Sequence, residues 1–157
     1  MTAIRVDVMP GPGPAELVER KGLGHPDTIC DALAEELSRA LCQFYLERFG
    51  TVLHHNVDKA LLVGGAARPR FGGGEVIEPI EIHLAGRAVT RVGNDQVPVG
   101  EIALRSATEW LRRNLRGLDV ERHVRIVTHV RPGSIDLAEL FQRREGAPRV
   151  LANDTSI

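Results

Sequence analysis

In "ERKGLGHPDTICD" (19–31) a histidine and an aspartate, His25 and Asp27, flank a single proline. Pro26 suits the first position of a helix, where its missing N–H costs nothing. Both side chains are therefore expected at a helix N-terminus, where unpaired N–H groups and the positive end of the helix dipole favour anions such as phosphates. Asp27 is followed by Asp31 and Glu35 at steps of four, an acidic stripe that faces either a cation or plain solvent. Helix capping and an anion or metal site both fit this spacing. Lys21, one of two lysines among the 20 basic residues, lies beside the motif.

A second polar cluster is "HHNVD" (54–58). Alternate side chains of a strand share a face, so His54, Asn56 and Asp58 are expected on one side and His55 on the other. His25, Asp27 and His54 together would make a small metal-dependent phosphohydrolase, although no HExxH-type ligand spacing supports such a site. "FGGGE" (71–75) lacks the GxxxxGK[ST] pattern of a phosphate loop, and its glycines are expected to form a turn or a mobile lid. His83, His123 and His129 are scattered on predicted strands and are expected to be structural. No nucleophile–histidine signature is present.

The elements that must position these residues follow from periodicity. "AELVERKG" (15–22) reads as a short strand running into a turn. Ile29, Leu33, Leu37, Ala40, Leu41 and Phe44 recur every three or four residues, which predicts a helix over 26–48 stopped by Gly50. Strands are expected at 51–65 and 76–86, with a loop at 68–76, and Pro79 weakens the second strand or places it at an edge. A helix over 99–116 turns Ile102, Ala103, Ala107, Trp110, Leu111 and Leu115 inward, with Arg105, Glu109, Arg112 and Arg113 outward. A strand at 123–130 and a short helix over 134–142, capped by Ser134, complete the pattern. The order β-α-β-β-α-β predicts an α+β fold, a sheet backed by helices. The expected division is a flexible lead-in at 1–14, an α+β region at 15–150 and a truncated active-site loop at 151–157.

Composition sets outer bounds. The chain has 157 residues, 43% hydrophobic and 26% charged, which suits one soluble domain. A net charge of −1 gives no general attraction to nucleic acid or to an anionic membrane. No run approaches the ~20 apolar residues of a membrane span. Cys30 and Cys42 lie on one predicted helix, roughly 18 Å apart and beyond disulfide reach, so they are expected as free thiols in a reducing compartment. No hydrophobic leader opens the sequence, and a cytoplasmic location is expected.

Four stretches, "LVERKGLGHPDTICD", "LHHNVDKALLVGG", "PRFGGGEVIEPI" and "VLANDTS", resemble in the same order the archaeal-type S-adenosylmethionine synthetases (methionine adenosyltransferases). The resemblance implies a subunit of three similar α+β units. It implies joining of L-methionine to ATP, in which the sulfur displaces triphosphate from the ribose C5′ and the triphosphate is then hydrolysed. It further implies His25 as the catalytic residue near the departing oxygen and Asp27 as a Mg2+ ligand. Glu19 and Asp154 would be substrate-binding residues. The family also uses K+, which is matched to no residue here. Its site lies between two subunits, so a homodimer or pairing with a full-length subunit is implied. Two positions depart from the wider family: Ala66 replaces an acidic residue after "VGG", and Arg131, Pro132 and Gly133 offer no glutamine before "SID". Family members are more than twice as long, so the chain is expected to be an N-terminal fragment with little activity alone. A non-catalytic module that pairs with a full-length subunit is the other expectation.

Overall fold

The computed structural model describes residue 11 and residues 17–133. In chain order the elements are α1 (Pro26–Phe49), β1 (His55–Val63), β2 (Ala66–Arg70), β3 (Gly73–Glu78), β4 (Ile80–Ala88), β5 (Arg91–Val92), β6 (Asp95–Gln96), α2 (Val99–Asn114), α3 (Val120–His123) and β7 (Val124–Pro132).

α1 forms where the three-and-four spacing of apolar residues predicts it. Ile29, Leu33, Leu37, Leu41 and Tyr45 make its buried stripe, and Gly50 closes it, donating its N–H to the Leu46 carbonyl. Leu33, Leu37 and Leu41 are fully buried, and each contributes roughly 1.5–3 kcal/mol through removal of apolar surface from water. Tyr45, absent from the predicted core, sits inside as well because its hydroxyl donates to the Val89 carbonyl at 2.9 Å. α2 buries Ile102, Ala103, Ala107, Trp110 and Leu111.

Both helices cover one face of a three-stranded sheet of order β1-β4-β7. β1 and β4 are antiparallel, whereas β4 and β7 are parallel and need a crossover, which α2 supplies. The covered face carries Val57, Ile82, Leu84 and Ala88. By alternation the opposite face carries Lys59, Leu61, Val63, His83, Arg125, Val127 and His129, and no described element covers it. The α+β layout of sheet and helices is therefore the expected one.

Several details differ from expectation. Residues 17–22 pair with no strand, and Leu17 is 99% exposed, because the described fold gives this segment no sheet edge and no apolar surface to pack on. The expected loop at 68–76 is a hairpin in which β2 and β3 pair from Arg70 with Gly73 outward. Pro79, without an N–H, ends β3 and separates it from β4. The expected long strand at 51–65 is shorter, and a bulge between Asn56 and Lys59 interrupts its alternation. At that bulge a β-carbon on Gly86 would stand 2.2 Å from the Asn56 carbonyl oxygen, so the close approach of β1 and β4 needs glycine. The helix expected over 134–142 and the loop 151–157 lie outside the described residues.

Candidate active site at the start of α1

His25 is the N-cap of α1, with an extended backbone, and its Nδ1 accepts the Asp27 backbone N–H at 3.2 Å. That bond fixes the neutral ring's proton on Nε2, which leaves Nε2–H as a donor on an exposed imidazole. Capping and chemistry are therefore compatible at this residue, since one ring nitrogen serves each. Pro26 has no N–H, the Asp27 N–H is taken by His25, and the Ile29 N–H bonds the His25 carbonyl at 3.0 Å. Of the first-turn amides this leaves that of Thr28 to face an anion, so side chains do most of the holding here.

Asp27 is 59% exposed and makes an ion pair with Lys21, which reaches back from the approach segment. The Lys21 ammonium, through its hydrogen bond and then its charge, holds the Asp27 carboxyl below its ordinary range, and His25 adds a smaller effect in the same direction. Asp27 is thus an ionised, accessible carboxylate next to a cation and an imidazole donor. Glu19 lies on the same exposed approach segment. Asp154 lies outside the described residues.

The rest of the predicted constellation is elsewhere. Cys30 sits beside the backbone of Leu62, while Ser38 and Cys42 meet His55, so α1 and β1 run antiparallel. His25 and Asp27 consequently stand at the Val63 end of β1. His54 stands at the other end, where its Nδ1 would be 4.0 Å from a β-carbon placed on Gly133. From Asp27 to the level of Ser38 is roughly 16 Å of helix axis, so a phosphohydrolase site combining His25, Asp27 and His54 is not assembled. The bulge also breaks the expected sharing of faces, because His55, Asn56 and Asp58 all line one cavity against α1. That cavity, of about 480 Å³, receives Asp31 and Glu35 from the acidic stripe but not Asp27.

Among the described residues no group of three or more His, Cys, Asp or Glu side chains could hold a metal ion by itself. Mg2+, however, commonly keeps its waters and takes one or two protein carboxylates plus substrate phosphates. Asp27, ionised and exposed, fits that role for a metal that arrives with a phosphate chain.

The sequence model of the S-adenosylmethionine synthetase (AdoMet synthetase) family matches residues 10–157. This chain belongs to that family. It is 60% identical over 143 residues to a protein from Aquifex aeolicus named "Probable S-adenosylmethionine synthase", covering 90% of this chain and 36% of the relative. The S-adenosylmethionine synthases of Aeropyrum pernix and Pyrococcus furiosus are 58% and 53% identical, again over 90% of this chain and 36% and 35% of theirs. The chain thus spans about a third of the length of the curated relatives it matches. Within this S-adenosylmethionine synthetase family member, Ala66 opens β2 and pairs with Glu78, so the position after "VGG" is a sheet position. A β-carbon on Gly65 would stand 2.1 Å from the Glu78 carbonyl oxygen, which ties the hairpin tightly to the end of β1 that the α1 start also occupies. One cluster, His55 with Ser38 and Cys42, forms only in the fold. The alternation that set His55 apart from His54 was the available signal, and no local motif marks the helix partners. Among the described residues no helix is long and apolar enough to cross a membrane.

Proposed function

We propose that this chain contributes the triphosphate-handling start of an S-adenosylmethionine synthetase site, for synthesis of S-adenosylmethionine from ATP and L-methionine. The family match over residues 10–157 carries this reading, and the geometry at the start of α1 supports its chemistry. In the reaction the methionine sulfur attacks C5′ of ATP, the C5′–O bond breaks, and triphosphate departs with its charge before hydrolysis to pyrophosphate and phosphate. Such a leaving group is stabilised by donors and cations aimed at its oxygens. His25 is the catalytic residue in this reading: Nδ1 is held by the cap, and Nε2–H donates to a phosphate or departing oxygen. Asp27 would hold Mg2+, which would supply charge neutralisation to the phosphates. Lys21, which pairs with Asp27, lies where its ammonium would also meet a phosphate oxygen if Asp27 held the metal. Glu19, on the exposed approach, and Asp154 are proposed as substrate-binding residues. K+ is expected from the family resemblance and is assigned to no residue.

The relatives' additional length implies that the site is completed by further polypeptide, from a second copy or from a longer subunit. The open sheet face with exposed Leu61 and Val63 favours such pairing. Alone, the chain is expected to form negligible S-adenosylmethionine from ATP, L-methionine, Mg2+ and K+, and robust turnover would sink that expectation. Mixed with a polypeptide covering the family's remaining two thirds, it is expected to form product that is lost in Asp27→Asn. No product from a mixture of folded pieces contradicts the reading. Pairing without product supports instead a non-catalytic module, and co-purification with a full-length subunit measures it.

A further inference from the structure

α1 and β1 meet around His55. Its Nδ1–H donates to the Leu53 carbonyl at 2.9 Å, so the neutral ring carries its proton on Nδ1 and presents a bare lone pair at Nε2. Two hydrogen-donating side chains of α1, one turn apart, reach that lone pair: Ser38 Oγ at 3.0 Å and Cys42 Sγ at 3.7 Å. The Tyr45 ring packs on the imidazole, with centroids 5.8 Å apart, and helps to hold it. A thiol, a base in a fixed tautomer and an acceptor that orients the base form the arrangement that activates cysteine nucleophiles. Among the described residues no imidazole is hydrogen-bonded to Cys30, which lies beside the Leu62 backbone. Burial first, with Asp31 and Asp27 adding to it, pushes the Cys30 thiol up.

We propose that Cys42 is the reactive thiol of this chain, with His55 as its base, and that it takes neutral or cationic soft electrophiles, low-molecular-weight disulfides in particular. The Cys42 proton passes from Sγ to His55 Nε2, and the thiolate attacks one sulfur of the disulfide. A new S–S bond forms to Cys42 as the old one breaks, and the departing thiolate recovers the proton from Nε2. The incoming disulfide is the oxidant, and half of it leaves as a thiol. The charge preference comes from the cavity beside the pair, which Asp31 and Glu35 of α1 line with neutral Asn56, while Asp58 of β1 lines it already paired with Lys59 at 2.5 Å. These carboxylates repel anionic reagents. Ser38 uses the same lone pair and so restrains the thiol.

The test uses the whole folded chain near neutral pH with limiting iodoacetamide, and reads each cysteine by peptide mass spectrometry. Cys42 is expected to be alkylated at least ~10-fold faster than Cys30. It is also expected to form a mixed disulfide faster with cystamine, a cationic disulfide, than with oxidised glutathione. His55→Gln slows Cys42 and leaves Cys30 unchanged, whereas Ser38→Ala, which frees the lone pair, speeds Cys42. Equal rates at the two cysteines, or an unchanged Cys42 rate in His55→Gln, overturn the proposal. If both cysteines accelerate together in His55→Gln the fold has been lost, and Ser38→Ala then decides: a faster Cys42 supports the proposal and an unchanged or slower one overturns it.

Discussion

At His25 one ring nitrogen caps a helix and the other faces solvent, so a single substitution separates the two roles. Removing the acceptor in His25→Ala leaves the Asp27 N–H without its cap and is expected to cost about 1 kcal/mol in chemical denaturation. His25→Asn keeps a capping oxygen and is expected to stay near the parent stability while losing the Nε2–H donor. Equal destabilisation by both would mean that something other than the capping acceptor carries the contribution of His25. Asp27 gives a pH signature on the acid side only. Its carboxyl is depressed in the folded chain, so its contribution to stability is full above the ordinary carboxylate value of ~3.9 and is lost as pH falls through the lower folded value. Because Lys21 is the largest cause, Lys21→Met is expected to move the Asp27 titration upward, read by NMR of the side-chain carboxyl. An unmoved titration would show that the ion pair is not the cause.

The elements place these residues through packing that is only partly visible in sequence. The α1 stripe was legible because Ile29, Leu33, Leu37 and Leu41 repeat at helical spacing over many turns, and the α2 stripe was legible for the same reason. Tyr45 continues the four-residue repeat of α1, but its polar hydroxyl hides it, since inside the core the hydroxyl is satisfied by a bond to Val89, 44 residues away. The β2–β3 hairpin was read as a loop because glycines at 72–74 mask the pairing signal, and its β3 strand is exposed on both faces. The bulge in β1 was also hidden, since register against β4 sets it rather than local residue type. At the site, the helix start with His25 and Asp27 was legible from Pro26 and the spacing, while the distance of His54 depends on the antiparallel course of β1. Two substitutions test this layer. Leu37→Ala is expected to cost about 2–5 kcal/mol through the cavity it leaves against the sheet. Gly86→Ala, whose β-carbon meets the Asn56 carbonyl, is expected to cost at least about 2 kcal/mol, and a loss below ~0.5 kcal/mol would show that the strands can part there.

As a whole, the molecule is a helix-backed sheet with one open face, and its candidate site lies at one end of the helix layer. The site's cation, carboxylate and imidazole donor come from one short segment, Lys21 to Asp27, and nothing described closes over them. That openness suits a site completed by further polypeptide, and Asp154 lies outside the described residues. The central claim is that this segment holds a triphosphate through Mg2+ on Asp27 and the Nε2–H of His25. Calorimetric titration of the chain with tripolyphosphate, with and without Mg2+, tests it most directly. The account predicts saturable binding that requires Mg2+ and weakens at least ~10-fold, about 1.4 kcal/mol, in both Asp27→Asn and His25→Ala. Binding of equal strength without Mg2+, or unchanged in those two variants, would contradict it.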